Sequence, residues 1–394
     1  MSIKFPPRPG RSGKSQKPWE PAPAPPEPDL SPEERLATGL LEVTRNNTGY
    51  LRPDATASPD DPMVTPAMQR KIGLRPGDLV EAVAKREKRG WVVQRVWRVN
   101  GHGIEGLTRR PHFDRLTAVH PDHALTLGPT PDAIAGRLLD LMAPVGRGQR
   151  GLIVSPPMAG KTTLLKDLAR ALAQDDELTL ILCLVGERPE EVTDIRRSVE
   201  ATVLAADLDM PPDAQARVAE LGIEHGRRLA EEGRHVVVLL DSLTRLARAH
   251  NLDARGGGRT LSGGMDASAL QPARRAFGAA RETEEAGSLT VLATALVDTG
   301  SRLDDVVYEE FKGTGNMEVH LDRDLAQQRL YPAIAIERSG TRNEELLLDP
   351  DTLQRVRRLR RRLHGMPPAD ALSRLLDALR THPTNDEALD ALVG

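Results

Sequence analysis

The sequence predicts an α/β protein in two parts: a small β-barrel, then a mostly parallel sheet with helices on both faces. Three observations carry this. Short apolar runs separated by turn residues fill residues 38–104. From Ala133 onward, fully apolar runs alternate with helical ones. A turn rich in small residues, followed by a lysine and a threonine, stands where the first strand of that second pattern meets its helix.

Composition sets the bounds. A chain of 394 residues has room for two or three domains. No stretch approaches the length and apolarity of a membrane span. The basic start has no apolar run behind it, so no secretory signal is expected. The single cysteine, Cys183, allows no internal disulfide and no cysteine zinc site. These features give a cytoplasmic expectation with no membrane partner. The net charge of −3 decides nothing about nucleic acid. Forty-five arginines against nine lysines look like a coding bias, so a lysine that persists carries information.

The elements follow in order. Residues 1–37 read as a disordered, basic, Pro-rich tail, with ten prolines in the first 32 positions. In the barrel, Gly39–Val43, Met63–Thr65, Asp78–Val83 and Trp91–Trp97 read as strands and Asn46–Gly49 as a turn. Trp91 and Trp97, six residues apart, are expected to fill the barrel core. Residues 105–132 read as a linker. Beyond it, Gly151–Val154, Leu178–Val185, His235–Asp241 and Ser288–Thr294 are inner strands by their apolar runs. Leu164–Ala173 and the stretch Pro211–Glu232 carry helices. Such alternation gives a parallel sheet covered on both faces.

The strongest chemical signal is Ser155-Pro-Pro-Met-Ala-Gly-Lys-Thr162, between a strand and a helix. Backbone N–H groups there can cradle phosphates, Lys161 can reach the β and γ phosphates, and the Thr162 hydroxyl can hold Mg²⁺. The strict pattern starts with glycine; here Ser155 takes that place. Asp241 ends a later strand, where a second acid completes the Mg²⁺ site. Glu187 ends the strand between, where a carboxylate can orient or deprotonate water.

At this point a family becomes visible. Pro144-Val-Gly-Arg-Gly-Gln-Arg-Gly151, Ala159-Gly-Lys-Thr162, Glu187-Arg-Pro-Glu-Glu-Val-Thr193, Leu239–Arg248, Phe277–Arg281, Tyr308–Met317 and Arg338–Leu346 resemble the ATPase domain of the bacterial transcription termination factor Rho. Residues 38–104 resemble, more weakly, its OB-fold RNA-binding domain. The resemblance implies a RecA-like P-loop ATPase domain over 133–394 behind an OB-fold barrel. It implies a homohexamer that binds ATP and Mg²⁺, moves along single-stranded RNA and releases transcripts from the RNA polymerase elongation complex.

Carried over by position, the resemblance makes Glu187 the water-polarising base and Arg188 a nucleotide contact. Val145, Gly146, Arg147, Gly148, Gln149 and Arg150 line base and sugar. Pro157, Met158, Ala159, Gly160, Lys161, Thr162 and Thr163 form the phosphate loop, and Tyr331 stacks on adenine. Arg342 is the arginine finger supplied by a neighbour, and Arg329 a second contact of that kind. Arg259, Thr260, Leu261, Ser262, Gly263 and Gly264 form one RNA-gripping loop, with Arg302 and Lys312 in another. Tyr50 and Arg52 contact RNA on the barrel.

The chain also departs from the family. Met158 stands where the family has a second lysine, and Gly186 where it has an aspartate. Thr48 and Met63 replace stacking aromatics, and Gly90 replaces another contact. Loss of two platforms costs roughly 2–6 kcal/mol if additive. A weakened, unselective primary RNA site is therefore expected. The leading function is an RNA-stimulated ATPase and translocase. The runner-up is a nucleotide-binding regulatory subunit without efficient translocation. A DNA-directed relative is disfavoured by the channel loops. The arginine-rich stretch 355–362 reads as the solvated face of an amphipathic helix, and His112, His120 and His123 as loop residues.

Overall fold

A computed structural model describes residues 20, 22–54, 56–88, 90–253 and 262–394. The first unit contains β1 (Glu34–Val43), β2 (Gly49–Arg52), β3 (Met63–Val64), α1 (Pro66–Ile72), β4 (Leu79–Glu87) and β5 (Gly90–Val99). The strands close into a barrel in the order β1-β2-β3-β5-β4. Leu41, Leu51, Val64, Val80, Val93, Val96 and Val99 fill it. The Thr65 hydroxyl caps α1 by accepting from Met68 N–H, and Pro66 opens the helix, where its missing N–H costs nothing.

The two tryptophans do not fill this core. Two bulges in the β4–β5 ladder break the alternation on which that expectation rests. Trp91 and Trp97 are half-buried, and each lies under a guanidinium, Arg35 at 3.9 Å and Arg98 at 4.1 Å from the ring centre.

The barrel also begins earlier than expected, at Glu34. Part of the Pro-rich tail is held on it: Gly103 N–H donates to Ala22 C=O, and the Arg98 guanidinium to Pro25 C=O at 2.7 Å.

The stretch read as a linker is built into the structure. It carries two 3₁₀ turns and β6 (Ala118–Val119), which pairs with β11 (Glu282–Thr283). Phe113 and Arg110 are buried. Arg110 has both of its η nitrogens on Asp78, at 2.7 and 3.0 Å, and also reaches Glu232 at 3.0 Å and Glu231 at 3.4 Å. Arg75 adds a pair with Glu231 at 3.0 Å. The junction is tight at Gly77, whose φ is +85°; a Cβ there would lie 2.3 Å from the backbone of Glu224.

The second unit runs α2 (Ile134–Met142), β7 (Arg150–Ser155), α3 (Lys161–Leu172), β8 (Leu178–Glu187), α4 (Pro189–Ser198), β9 (Thr202–Asp207), α5 (Pro212–Glu231), β10 (His235–Asp241), α6 (Leu243–Asp253), α7 (Leu270–Gly278), β12 (Ser288–Leu296), α8 (Arg302–Lys312), β13 (Met317–His320), α9 (Arg323–Gln327), β14 (Gly340–Thr341), α10 (Pro350–Leu363), α11 (Pro368–Thr381) and α12 (Asn385–Val393). Its sheet order is β14-β13-β7-β12-β10-β8-β9, parallel except for β14. One core joins α2, α3, α4 and α10–α12 to one face, and another joins α5–α8 to the other. Apolar side chains on both faces explain why β8, β10 and β12 read as unbroken apolar runs.

Candidate ATPase site and RNA-facing elements

The carboxyl ends of β7, β8 and β10 bring the central residues together. Gly160, with φ +91°, turns the chain from β7 into α3, so the first N–H groups of α3 point outward without helical partners. Lys161 Nζ donates to Glu187 Oε1 at 3.0 Å and also to Asp241. Glu187 and Asp241 are 3% and 2% exposed. The Thr294 hydroxyl donates to Asp241 at 2.7 Å, which fixes the carboxylate. The Thr162 hydroxyl donates to Glu191 at 3.2 Å. Pro157, Met158 and Thr163 are exposed around this centre, and Ala159 is buried beneath it.

The electrostatics follow from this packing. Burial works to raise the Glu187 carboxyl. The Lys161 ammonium and the Arg245 guanidinium, both paired with it, outweigh that and hold it below the usual carboxylate range. Glu187 is thus an ionised carboxylate beside the phosphate loop. The sequence reading missed Arg245, although it lies within the stretch Leu239–Arg248 that carried the resemblance.

Asp241 and Thr162 supply the hard oxygen ligands that suit Mg²⁺. Among the described residues no group of three metal-ligating side chains forms.

The remaining predicted nucleotide residues divide into two groups. Tyr331 lies against the phosphate loop: a Cβ on Gly160 would be 3.4 Å from its ring. Both residues line a cavity of about 350 Å³ with Thr163, Leu164 and Asp167. Arg188 starts α4 with its side chain exposed, 3.9 Å from Glu191.

Residues 145–150 lie elsewhere. They enter β7 at its amino end, one strand length (roughly 20 Å) from the phosphate loop. Their partners are Asn316 and Thr290: Gln149 Nε2 donates to Asn316 Oδ1 at 2.8 Å, and Gly148 N–H to Thr290 at 2.8 Å. Within one chain, residues 145–150 therefore stand apart from the phosphate loop. They sit with Arg342 instead, whose N–H donates to Asn316 C=O at 2.9 Å, and Thr341 bonds Pro144 C=O at 2.6 Å. Arg329 is not beside Arg342. It is exposed two residues before Tyr331, on the phosphate-loop side.

On the RNA side, Arg259, Thr260 and Leu261 lie outside the described residues. The backbone of Ser262–Gly264 forms a 3₁₀ turn. Gly263 packs on the first turn of α8, where a Cβ would meet Leu303 N at 2.7 Å and Arg302 C=O at 3.0 Å. The two loops expected to grip RNA thus meet at Arg302, which is exposed. Lys312 is at the far end of α8, about 15 Å along the axis, and pairs with Glu309 at 3.6 Å.

On the barrel, Tyr50 is half-buried and stands opposite Met63. Arg52 does not have the exposure an RNA contact needs. It is 7% exposed, paired with Glu42 at 2.6 Å and with Asp61, and lies 5.0 Å from the Tyr50 ring. Glu42 also accepts from Arg217 of α5 at 2.8 Å, which ties the barrel to the second unit. Trp91, which the sequence reading placed in the core, precedes Val92, the register partner of Met63.

Comparison with known proteins decides the family. The transcription termination factor Rho of Thermotoga maritima is 47% identical over 358 residues, which cover 89% of this chain and 84% of that one. The chain belongs to the Rho family. Rho of Bacillus subtilis is 48% identical over 90% of this chain and 84% of its own length, and Rho of Streptosporangium roseum 51% identical over 88% and 89%. The Rho termination factor RNA-binding domain matches residues 37–111, and the ATP synthase alpha/beta family nucleotide-binding domain matches residues 136–341.

Among solved structures, a type III secretion system ATPase of pathogenic bacteria superposes with a TM-score of 0.59 at 21% identity, covering 71% of this chain and 86% of that chain. An ATP synthase subunit from Nanoarchaeum equitans gives a TM-score of 0.58 at 16% identity over 70% and 77%. Both are likenesses of fold alone. No helix among the described residues of this Rho-family chain is long and apolar enough to cross a membrane.

Proposed function

We propose that this Rho-family chain is an RNA-stimulated ATPase that moves along single-stranded RNA as a homohexamer and releases transcripts from the RNA polymerase elongation complex. One observation carries the reading. Lys161, Glu187 and Asp241 converge at one edge of the sheet, while Arg342 stands with residues 144–150 at the opposite edge. One chain therefore holds half a site at each edge. A ring closes the site by bringing Arg342 and residues 145–150 of one subunit to the phosphate loop of the next.

Bound ATP and Mg²⁺ supply the phosphoryl group and the cation that offsets its charge. Lys161 would exchange its two carboxylates for phosphate oxygens, Asp241 and Thr162 would hold Mg²⁺ where it offsets phosphate charge, and Tyr331 would stack on the base. Glu187 loses its Lys161 partner, which raises its basicity and frees it to orient water. Arg342 from the neighbour neutralises transition-state charge, a contribution of about 10³–10⁵ in rate. On the barrel, Tyr50 and Trp91 serve as stacking surfaces, and Arg52 positions Tyr50. Arg302, beside Gly263, contacts RNA in the channel.

The regulatory reading has one observation in its favour. Met158 is 76% exposed beside the phosphate loop and brings no charge. The ATPase rate with and without poly(U) or poly(C) separates the two readings. The motor predicts RNA stimulation and a drop of about 10²–10⁴-fold in Glu187→Gln. A wild-type rate equal to that of Glu187→Gln at every RNA concentration would refute the motor and leave the regulatory subunit.

A further inference from the structure

The outer face of α10 has no part in the ATPase site. Leu353, Val356, Leu359 and Leu363 bury its inner face. The other face exposes Arg357, Arg358 and Arg361, while Arg362, also exposed, donates to Leu392 C=O at 2.6 Å. The neighbouring arginines are engaged: Arg355 with Asp351, Asp386 and Asp390, and Arg360 with Glu344. Among the described residues no carboxylate pairs with Arg357, Arg358 or Arg361, although acidic side chains hold the adjacent positions.

Arg357 and Arg361 are an i, i+4 pair, and Arg358 and Arg361 an i, i+3 pair, so like charges adjoin on one helix face. Such pairs destabilise a helix. The helix C-terminus offsets part of this, because its dipole favours cations in the last turn. It does not reach Arg357 and Arg358, which lie more than one turn from the end. An external polyanion would offset the rest.

We propose that this face of α10 is an additional RNA contact, which takes the sugar-phosphate backbone of single-stranded RNA without reading bases. The proposal rests on the RNA-binding reading above. Guanidinium groups suit phosphate oxygens, which they can bind through two parallel N–H bonds. The i, i+4 pair spans about 6 Å along the axis, within reach of neighbouring phosphates of one strand. Residues 350–394 contain no Phe, Trp or Tyr, so this surface has no stacking platform and no means of base selection. An unselective backbone contact compensates for a barrel that has lost aromatic positions.

The test is the salt dependence of binding of labelled oligo(U) to the full chain, wild type against the triple variant Arg357→Gln, Arg358→Gln, Arg361→Gln. Three lost contacts lower the slope of log K against log salt by about 2, so wild type loses roughly 20-fold more affinity than the variant over a fourfold rise in salt. The corresponding triple lysine variant keeps the wild-type slope, since it keeps the charge. ATPase activity without RNA is unchanged in both.

An unchanged slope in the folded glutamine variant overturns the proposal. If that variant also loses retention on a poly-glutamate resin, the surface serves an acidic protein instead. A wild-type chain that binds no oligo(U) at low salt overturns the RNA-binding reading itself, and this inference with it.

Discussion

Replacing Arg110 with methionine should break the joint between barrel and ATPase unit. The side chain is wholly enclosed, and the residue as a whole is 2% exposed. Its guanidinium holds Asp78 through both η nitrogens and also reaches Glu231 and Glu232. Burial raises both glutamates above their usual range, and the neighbouring arginines, with Asn100 at Glu232, offset only part of that rise. Methionine fills most of the volume, so the loss is electrostatic rather than a cavity. Three buried carboxylates then share Arg75, Arg228 and Asn100. Breaking a buried pair by removing one partner costs about 3–5 kcal/mol. Arg75 remains to compensate, so we expect about 3 kcal/mol.

The readout is the urea midpoint of the full chain, together with proteolysis of the segment 105–132. The midpoint should fall and cleavage should rise. Adding Asp78→Asn should recover part of the loss, because it removes one of the stranded charges. A midpoint unchanged to within 0.5 kcal/mol, roughly the scale of a surface substitution, would refute the reasoning, since it would mean the cluster is hydrated.

Three further outcomes follow from the site. Met158→Lys should lower the KM for ATP about tenfold, the small end of a hydrogen bond to a charged group at an exposed position; an unchanged KM at saturating RNA would contradict this. Gly186→Ala should lower stability by about 1 kcal/mol, because φ there is +63° and a Cβ would lie 3.0 Å from Gln215 Oε1; the urea midpoint measures it, and no change would count against it. Cys183 lies inside β8, where burial pushes its thiol up to about 12, so it should stay unlabelled by a maleimide at pH 8 until the chain unfolds; fast labelling of native protein would be the contrary result.

What the sequence made legible, and what it hid, follows from the range of each interaction. The phosphate loop, β8 ending at Glu187 and β10 ending at Asp241 were readable because each is a local pattern, and parallel strands line up their carboxyl ends. The division of the predicted nucleotide residues between two edges was not readable. It depends on β13 pairing with Gly151–Val154 of β7, across more than 150 residues, and on β14 pairing in turn with Met317 and Glu318 at the start of β13, contacts that no local period encodes. Trp91 and Trp97 were misplaced because alternation holds only without bulges, and β5 sits in a ladder with two of them. Arg52, expected to contact RNA, and Arg110, in the stretch expected to be a linker, are both buried for one shared reason. A charged side chain reads as exposed until its partners are known, and theirs come from distant strands and helices: Glu42 and Asp61 for one, Asp78, Glu231 and Glu232 for the other. These buried pairs have a common location. Glu42 reaches Arg217, and Arg110 reaches the end of α5, so both clusters join the barrel to the same helix. Helix α5 packs on β8 and β10, the strands that end at Glu187 and Asp241. The charges that local reading could not place are therefore those that connect the RNA-facing barrel to the ATPase centre.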